Sequence, residues 1–113
     1  MRTPARDERH RSTNYALPSL ELTATAARNI DRLIETHELP EDTLDRILGS
    51  LEPLTRFPLA GRALRGSWEG LRLVIGPWSW MLLIYVFDEA SDRVLVITVQ
   101  DGRRASSATT QGA

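Results

Sequence analysis

Two stretches of the chain place apolar residues three and four positions apart, which is the spacing of one face of a helix. The first stretch follows Thr23 and the second follows Asp42, and both residue types favour the N-cap position. Leu39 and Pro40 interrupt the pattern between them. The apolar positions are Ala26, Ala27, Ile30, Leu33 and Ile34 in the first stretch, and Leu44, Ile47, Leu48 and Leu51 in the second. We therefore expect two helices joined as an αα-hairpin.

Three later runs, rich in Val, Ile, Leu and aromatic residues, predict β-strands. They are Leu71 to Ile75, Trp80 to Phe87 and Val94 to Val99. The separating segments, Gly76-Pro77 and residues 88–92, are too short for a crossover and predict an antiparallel meander. Pro18 limits the stretch from Tyr15 to Leu22 to a short or edge strand. The predicted fold class is α+β, with an N-terminal short strand and the αα-hairpin packed on an antiparallel sheet of three to four strands.

The middle run is apolar on both faces of the predicted sheet. Alternation along it places Trp80, Leu82, Ile84 and Val86 on one face and Met81, Leu83, Tyr85 and Phe87 on the other. One face is expected to receive the helices. The other needs a partner, a tail or a groove to cover it.

Composition narrows the classes of function. The chain has 113 residues and no cysteine, and its 14 basic residues are all arginine against 15 acids. Disulfide, thiol and lysine chemistry are therefore excluded, and a net charge of −1 disfavours a generic polyanion binder. The sequence has no apolar run long enough for a membrane span, so a cytoplasmic protein is expected. Neither a metal nor a cofactor is expected. We predict a disordered polar arm over residues 1–14, one domain over 15–104 and a flexible tail over 105–113.

An ordered set of short motifs resembles the RelE/ParE superfamily of bacterial toxins. The motifs are Phe57-Pro58 with Gly61, the stretch from Leu64 to Leu73, Tyr85-Val86-Phe87-Asp88-Glu89, and Val96-Ile97-Thr98-Val99 followed by Arg103-Arg104. The resemblance implies the toxin of a type II toxin–antitoxin system, similar to plasmid stabilisation proteins and neutralised by a cognate antitoxin. Two growth-inhibiting activities occur in that superfamily: ParE-like poisoning of DNA gyrase and RelE-like cleavage of mRNA on the ribosome. A non-toxic interaction module with the same fold is a third reading.

The resemblance favours the ParE-like mode, because the nuclease equipment is incomplete. Where the nuclease branch has two basic residues on its first meander strand, this chain has Arg72 and Val74, and Met81 stands in place of an arginine. Small residues, Ser106, Ser107, Ala108 and Thr109, occupy the region of the nuclease tyrosine. Arginine exchanges protons poorly at neutral pH because its pKa exceeds about 12. Whether the chain is an enzyme stays open at this point.

Six residues are candidates for contact with a target or for catalysis. Those that could take part in catalysis are Arg72, Arg103, Arg104 and Glu69, and those that could bind a target are Arg65, Arg72, Trp78, Arg103 and Arg104. Glu69 could instead form an ion pair with Arg72. His37 is a further candidate base, although its position at a helix end is also explained by the helix dipole. Core packing is the expected role of Trp80, whereas Trp78, beside a turn, is expected to be more exposed.

Overall fold

A computed structural model describes residues 18–104 together with 107 and 108. The predicted arm, residues 1–14, lies outside the described residues, and so does most of the predicted tail, residues 105–113. Within that tail, Ser107 and Ala108 are described and both are buried.

The predicted αα-hairpin is confirmed. Helix α1 covers Ala24–His37 and helix α2 covers Thr43–Leu51, followed by a 3₁₀ turn over Glu52–Thr55. Thr23 caps α1, since its Oγ1 accepts a hydrogen bond of 3.0 Å from the backbone N–H of Ala26. Asp42 occupies the predicted N-cap position of α2 without a side-chain capping bond. Its carboxylate instead accepts a 3.0 Å bond from Arg46 one turn along the helix.

The sheet of the described chain contains five strands in the order β1-β5-β4-β3-β2. They are β1 (Ser19–Leu22), β2 (Arg62–Ala63), β3 (Arg72–Ile75), β4 (Met81–Asp88) and β5 (Arg93–Asp101). The predicted antiparallel meander is β3-β4-β5, and β1 adds to its edge in parallel with β5. The sequence pattern did not predict β2, because it has only two residues and both are exposed.

The apolar core lies on both faces of β4, as alternation predicted. Trp80, which was predicted on the face of Leu82, instead packs against the helix-facing side, because it precedes β4 and does not follow the alternation of the strand. The helix-facing side buries Ala26, Ile30, Ile47, Leu51, Leu54, Met81, Leu83, Tyr85, Val94, Val96 and Val99. The opposite side buries Leu64, Leu73, Leu82, Ile84 and Ala108 and is flanked by Trp68 and Leu71. The segment around Leu64–Leu71 and the described part of the tail therefore cover the second face.

A β-bulge in β5 gives α1 its attachment to the sheet. The pairing of β4 with β5 shifts by one residue and leaves Ile97 without an opposite residue. The hydroxyl of Thr23 donates to the Ile97 carbonyl at 2.9 Å. Asn29 Oδ1 accepts from the Val99 N–H at 3.1 Å and from the Thr98 hydroxyl at 2.7 Å. The N-cap residue of α1 and Asn29 within the helix thus satisfy polar groups at the bulge.

A buried tyrosine and an arginine hold the loop between α2 and β2 against the sheet. The Tyr85 hydroxyl donates to the Pro58 carbonyl at 2.9 Å and accepts from the Gly61 N–H at 2.8 Å. One guanidinium nitrogen of Arg72, Nη1, donates to the carbonyls of Leu59 at 3.1 Å and Gly61 at 2.9 Å. Burial raises the pKa of Tyr85, so its hydroxyl stays a donor at neutral pH.

Gly61→Ala is expected to destabilise the protein, because an added Cβ would lie 2.6 Å from the Tyr85 hydroxyl and 2.9 Å from the Leu73 carbonyl oxygen. A loss of about 1–3 kcal/mol is expected from overpacking at such a site. Gly49→Ala is the matched control, since nothing lies within 4 Å of the added methyl in α2. It should stabilise the protein by about 0.5–1 kcal/mol through helix propensity. Urea unfolding of both variants checks this, and a Gly61→Ala protein as stable as wild type would contradict the tight contact.

Candidate functional site

Asp101, at the end of β5, gathers a histidine and an arginine around one carboxylate. Arg103 donates to it from Nε at 2.9 Å and from Nη2 at 2.8 Å, and the Arg103 backbone N–H donates at 3.0 Å. His37, the last residue of α1, places Nε2 3.2 Å from Oδ2, the oxygen that also accepts from Arg103 Nη2, and Nη2 itself lies 3.2 Å from Nε2. The hydrogen bonds from Arg103 are the main reason that the pKa of Asp101 lies well below its usual range. The carboxylate in turn raises the pKa of Arg103.

The aromatic ring of Trp80 packs against both His37 and Arg103. The His37 ring stacks on Trp80, with centroids 4.5 Å apart and planes inclined by 15°. Arg103 Cζ lies 5.0 Å from the centroid of the Trp80 ring, and Trp78 stacks on Trp80 at 6.2 Å. Arg46 Cζ lies 5.8 Å from the centroid of Trp78. We refer to His37, Trp80, Asp101 and Arg103 as the Asp101 cluster.

A cleft of about 460 Å³ opens between α1 and the C-terminal end of β5, and His37 and Asp101 form part of its wall. The complete lining consists of Asn29, Arg32, Leu33, Thr36, His37, Thr98, Val99, Gln100, Asp101, Arg104 and Ser107. A histidine and a carboxylate therefore lie side by side at the wall of the cleft.

Comparison with solved structures decides the fold. Over 75% of this chain and 98% of that chain, the structure is similar to the toxin–antitoxin complex RelBE2 from Mycobacterium tuberculosis, with 25% identity and a TM-score of 0.51. It is also similar to the chromosomal ParDE system from P. aeruginosa, with 13% identity, 75% and 96% coverage and a TM-score of 0.59. This chain has the RelE/ParE fold. The archaeal RelE–RelB complex from Pyrococcus horikoshii OT3 agrees, with 15% identity, 79% and 99% coverage and a TM-score of 0.52.

The resemblance drawn from short motifs is thereby confirmed for the fold. No family model and no curated protein matches the sequence. Within the described residues, no helix of this RelE/ParE fold is both long and apolar enough to cross a membrane.

On the RelE/ParE fold the predicted arginines do not form one group. Arg103 belongs to the Asp101 cluster and Arg104 lines the cleft. Arg72 bonds instead to the loop carbonyls of Leu59 and Gly61, on the other side of β4. Its position in the fold gives it a structural role that its sequence position did not predict.

The remaining predicted residues lie along a 3₁₀ segment and in the aromatic stack. Arg65 precedes the 3₁₀ turn Gly66–Trp68 and Glu69 follows it, and both are exposed. The alternative ion pair of Glu69 with Arg72 does not form, and in the described part of the chain Glu69 has no salt bridge. Trp78 and Trp80 are both half-buried and both pack against the helix-facing core.

Sequence reasoning missed the pairing of His37 with Asp101. The two residues are 64 positions apart, and no short motif links them. Two signals were available in the sequence. His37 continues the three- and four-residue spacing of the apolar positions of α1, and Asp101 is an acid at the end of the apolar strand β5. These signals become a pair only when α1 is docked along β5.

The Asp101→Asn variant should be less stable than wild type at neutral pH, because it loses the charge of a carboxylate that accepts two side-chain hydrogen bonds from Arg103. In the wild type the folded carboxyl has the lower pKa, so the unfolded chain binds more protons below about pH 4. The stabilisation is therefore complete above that pH and is lost progressively as the pH falls further. Urea midpoints of both proteins from pH 7 to pH 2 should converge toward the acid end.

Asp31→Asn, on the exposed side of α1, is the matched control for this titration. Its midpoints should follow those of the wild type at each pH. A constant gap between wild type and Asp101→Asn down to pH 2 would show that the carboxylate is not held ionised by its neighbours.

Proposed function

We propose that this chain is the toxin of a type II toxin–antitoxin system and is neutralised by a cognate antitoxin. In this proposal the toxin inhibits growth in the ParE-like manner, by binding its target, DNA gyrase. The observation that carries the proposal is the RelE/ParE fold, which matches the RelBE2 toxin–antitoxin complex over 98% of that chain. The similar RelE–RelB structure is likewise a complex of two proteins.

The surroundings of the arginines support a binding mode. In the nuclease branch, the basic side chains at the positions of Arg72 and Arg103 are expected to be available to contact a phosphate. Arg72 donates to backbone carbonyls, and Arg103 donates to Asp101 through the Nε–Nη2 edge of its guanidinium group. Met81, in the place of an arginine, is fully buried. Cations held in this way are poorly placed to stabilise a reacting phosphate.

Exposed apolar side chains support a protein partner. Their exposed fractions are 66% for Phe57, 54% for Leu59, 49% for Ile75, 43% for Leu44 and 37% for Leu48. Exposed apolar surface of this kind favours protein–protein contact. The cognate antitoxin is the partner that we propose for it.

A specific observation favours a second candidate, the ribosome-dependent mRNA endoribonuclease. His37 and Asp101 form a histidine–carboxylate pair at the wall of a cleft, with Nε2 and Oδ2 3.2 Å apart. In cleavage by an adjacent 2′-hydroxyl, the O2′–P bond forms as the P–O5′ bond breaks. The reaction needs a group that accepts the hydroxyl proton and a group that donates a proton to the leaving 5′-oxygen. His37 could accept the first proton and donate the second.

Inducible expression of the chain tests these alternatives. The ParE-like proposal expects growth arrest with trapped gyrase–DNA cleavage complexes and intact mRNA. Codon-specific cuts in mRNA would support the endoribonuclease instead. Growth unaffected by expression would contradict both and leave a non-toxic interaction module. Co-expression of the small protein encoded by the adjacent reading frame should restore growth if that protein is the antitoxin.

The His37→Gln variant separates the two modes with a single side chain. A general acid–base contributes about 10²–10⁴ in rate, so an endoribonuclease using His37 should lose at least a hundredfold in mRNA cleavage. A binding toxin should arrest growth as strongly as wild type. Glu35→Gln, an exposed change on the same helix, is the control for expression and folding.

A further inference from the structure

We infer that the cleft between α1 and the C-terminal end of β5 is a binding site for a phosphate group. This goes beyond the proposed binding toxin, which needs no such site. The inference rests on the hydrogen-bonding character of the walls. Helix α1 contributes Asn29, Arg32 and Thr36, spaced three and four residues apart and therefore on one face.

The two amide side chains of the cleft have their oxygen atoms occupied. Asn29 Oδ1 accepts from the Val99 N–H and the Thr98 hydroxyl, at 3.1 and 2.7 Å. Gln100 Oε1 accepts from the Ala108 N–H at 2.8 Å. A carbonyl oxygen can accept two hydrogen bonds, so Asn29, whose oxygen already accepts two, has only its NH₂ group left to offer a ligand. Gln100 has its oxygen oriented toward the Ala108 N–H, which leaves its NH₂ group as a further donor. Both amides are therefore hydrogen-bond donors to the cleft.

The charged groups of the wall are mainly positive. Arg32 and Arg104 contribute guanidinium groups. Asp101 is the one acid among the lining residues, and its oxygens are bonded by Arg103 and His37. A wall of amide and guanidinium donors with its one carboxylate already bonded suits a ligand with several anionic oxygen atoms.

Phosphate is the ligand class with that chemistry. It offers several acceptor oxygens to separate donors, and guanidinium groups bind it in a bidentate manner. At about 460 Å³ the cleft also has room for the rest of a nucleotide beside the phosphate. The phosphate could be the monoester of a free nucleotide or the diester of a nucleic-acid strand. Both sources share the chemistry recognised here.

Calorimetric titration of the full chain at fixed ionic strength tests the site. The probes are inorganic phosphate, adenosine 5′-monophosphate, and single-stranded RNA and DNA hexamers of the same sequence. Arg32→Gln should weaken binding of each bound probe about tenfold, as expected for loss of one charge-assisted hydrogen bond. Arg28→Gln, four residues earlier and outside the cleft, is the matched control and should bind as wild type.

Gln100→Glu is a second, independent variant. A glutamate keeps an oxygen acceptor for the Ala108 N–H but replaces the amide donor with a negative charge. Binding of phosphate probes should then be lost, while circular dichroism shows an intact fold. Hexamers bound more tightly than the monophosphate would assign the site to a nucleic-acid backbone, and the reverse order to a free nucleotide.

Two outcomes would overturn the inference. One is that no phosphate probe binds the wild type at millimolar concentration. The other is that Arg28→Gln weakens binding as much as Arg32→Gln, which would reduce the effect to overall charge. Neither outcome bears on growth arrest in cells, so the site and the proposed toxin activity are tested separately.

Discussion

The docking of α1 on the bulge of β5 is the contact on which the rest of the site depends. An extra residue in a strand leaves backbone groups without partners, and burying them unpaired costs free energy. Thr23 and Asn29 bond to groups at the bulge from two turns of one helix. With the start of α1 fixed there, its last residue, His37, lies against Asp101 at the end of the same strand.

The absence of lysine has a structural consequence. A guanidinium group has several donors in a fixed plane, and the fold uses this at two separate places. One nitrogen of Arg72 donates to two carbonyls of a loop, and Arg103 donates to the Asp101 carboxylate from two nitrogens in a bidentate geometry. A lysine could not reproduce the second geometry, because its ammonium is a single point of charge. Arg72 and Arg103, which the sequence suggested as contacts for a target, thus also stabilise the fold through hydrogen bonds within it.

Periodicity was sufficient to predict both helices, the three strands of the meander and the two-sided core, because each depends on residues close together in the chain. It was not sufficient for β2, whose pairing depends on the loop held by Tyr85 and Arg72. It was also insufficient for the pairing of His37 with Asp101, which depends on the register of α1 along β5. The short motifs predicted the superfamily, whereas the geometry of the cleft depends on how α1 docks along β5 and could not be predicted from local patterns.

Strand order separates the two surfaces to which functions are proposed. In the sheet, β4 lies between β3 and β5. Ile75 ends β3, and Leu59 is bonded to Arg72 of the same strand, so these exposed apolar residues lie on the β3 side. The cleft lies on the β5 side, against α1. The second face of β4 is already covered by the fold itself, so the apolar surface that stays exposed lies toward β3. The surface proposed for the antitoxin and the cleft proposed for a phosphate therefore consist of different side chains.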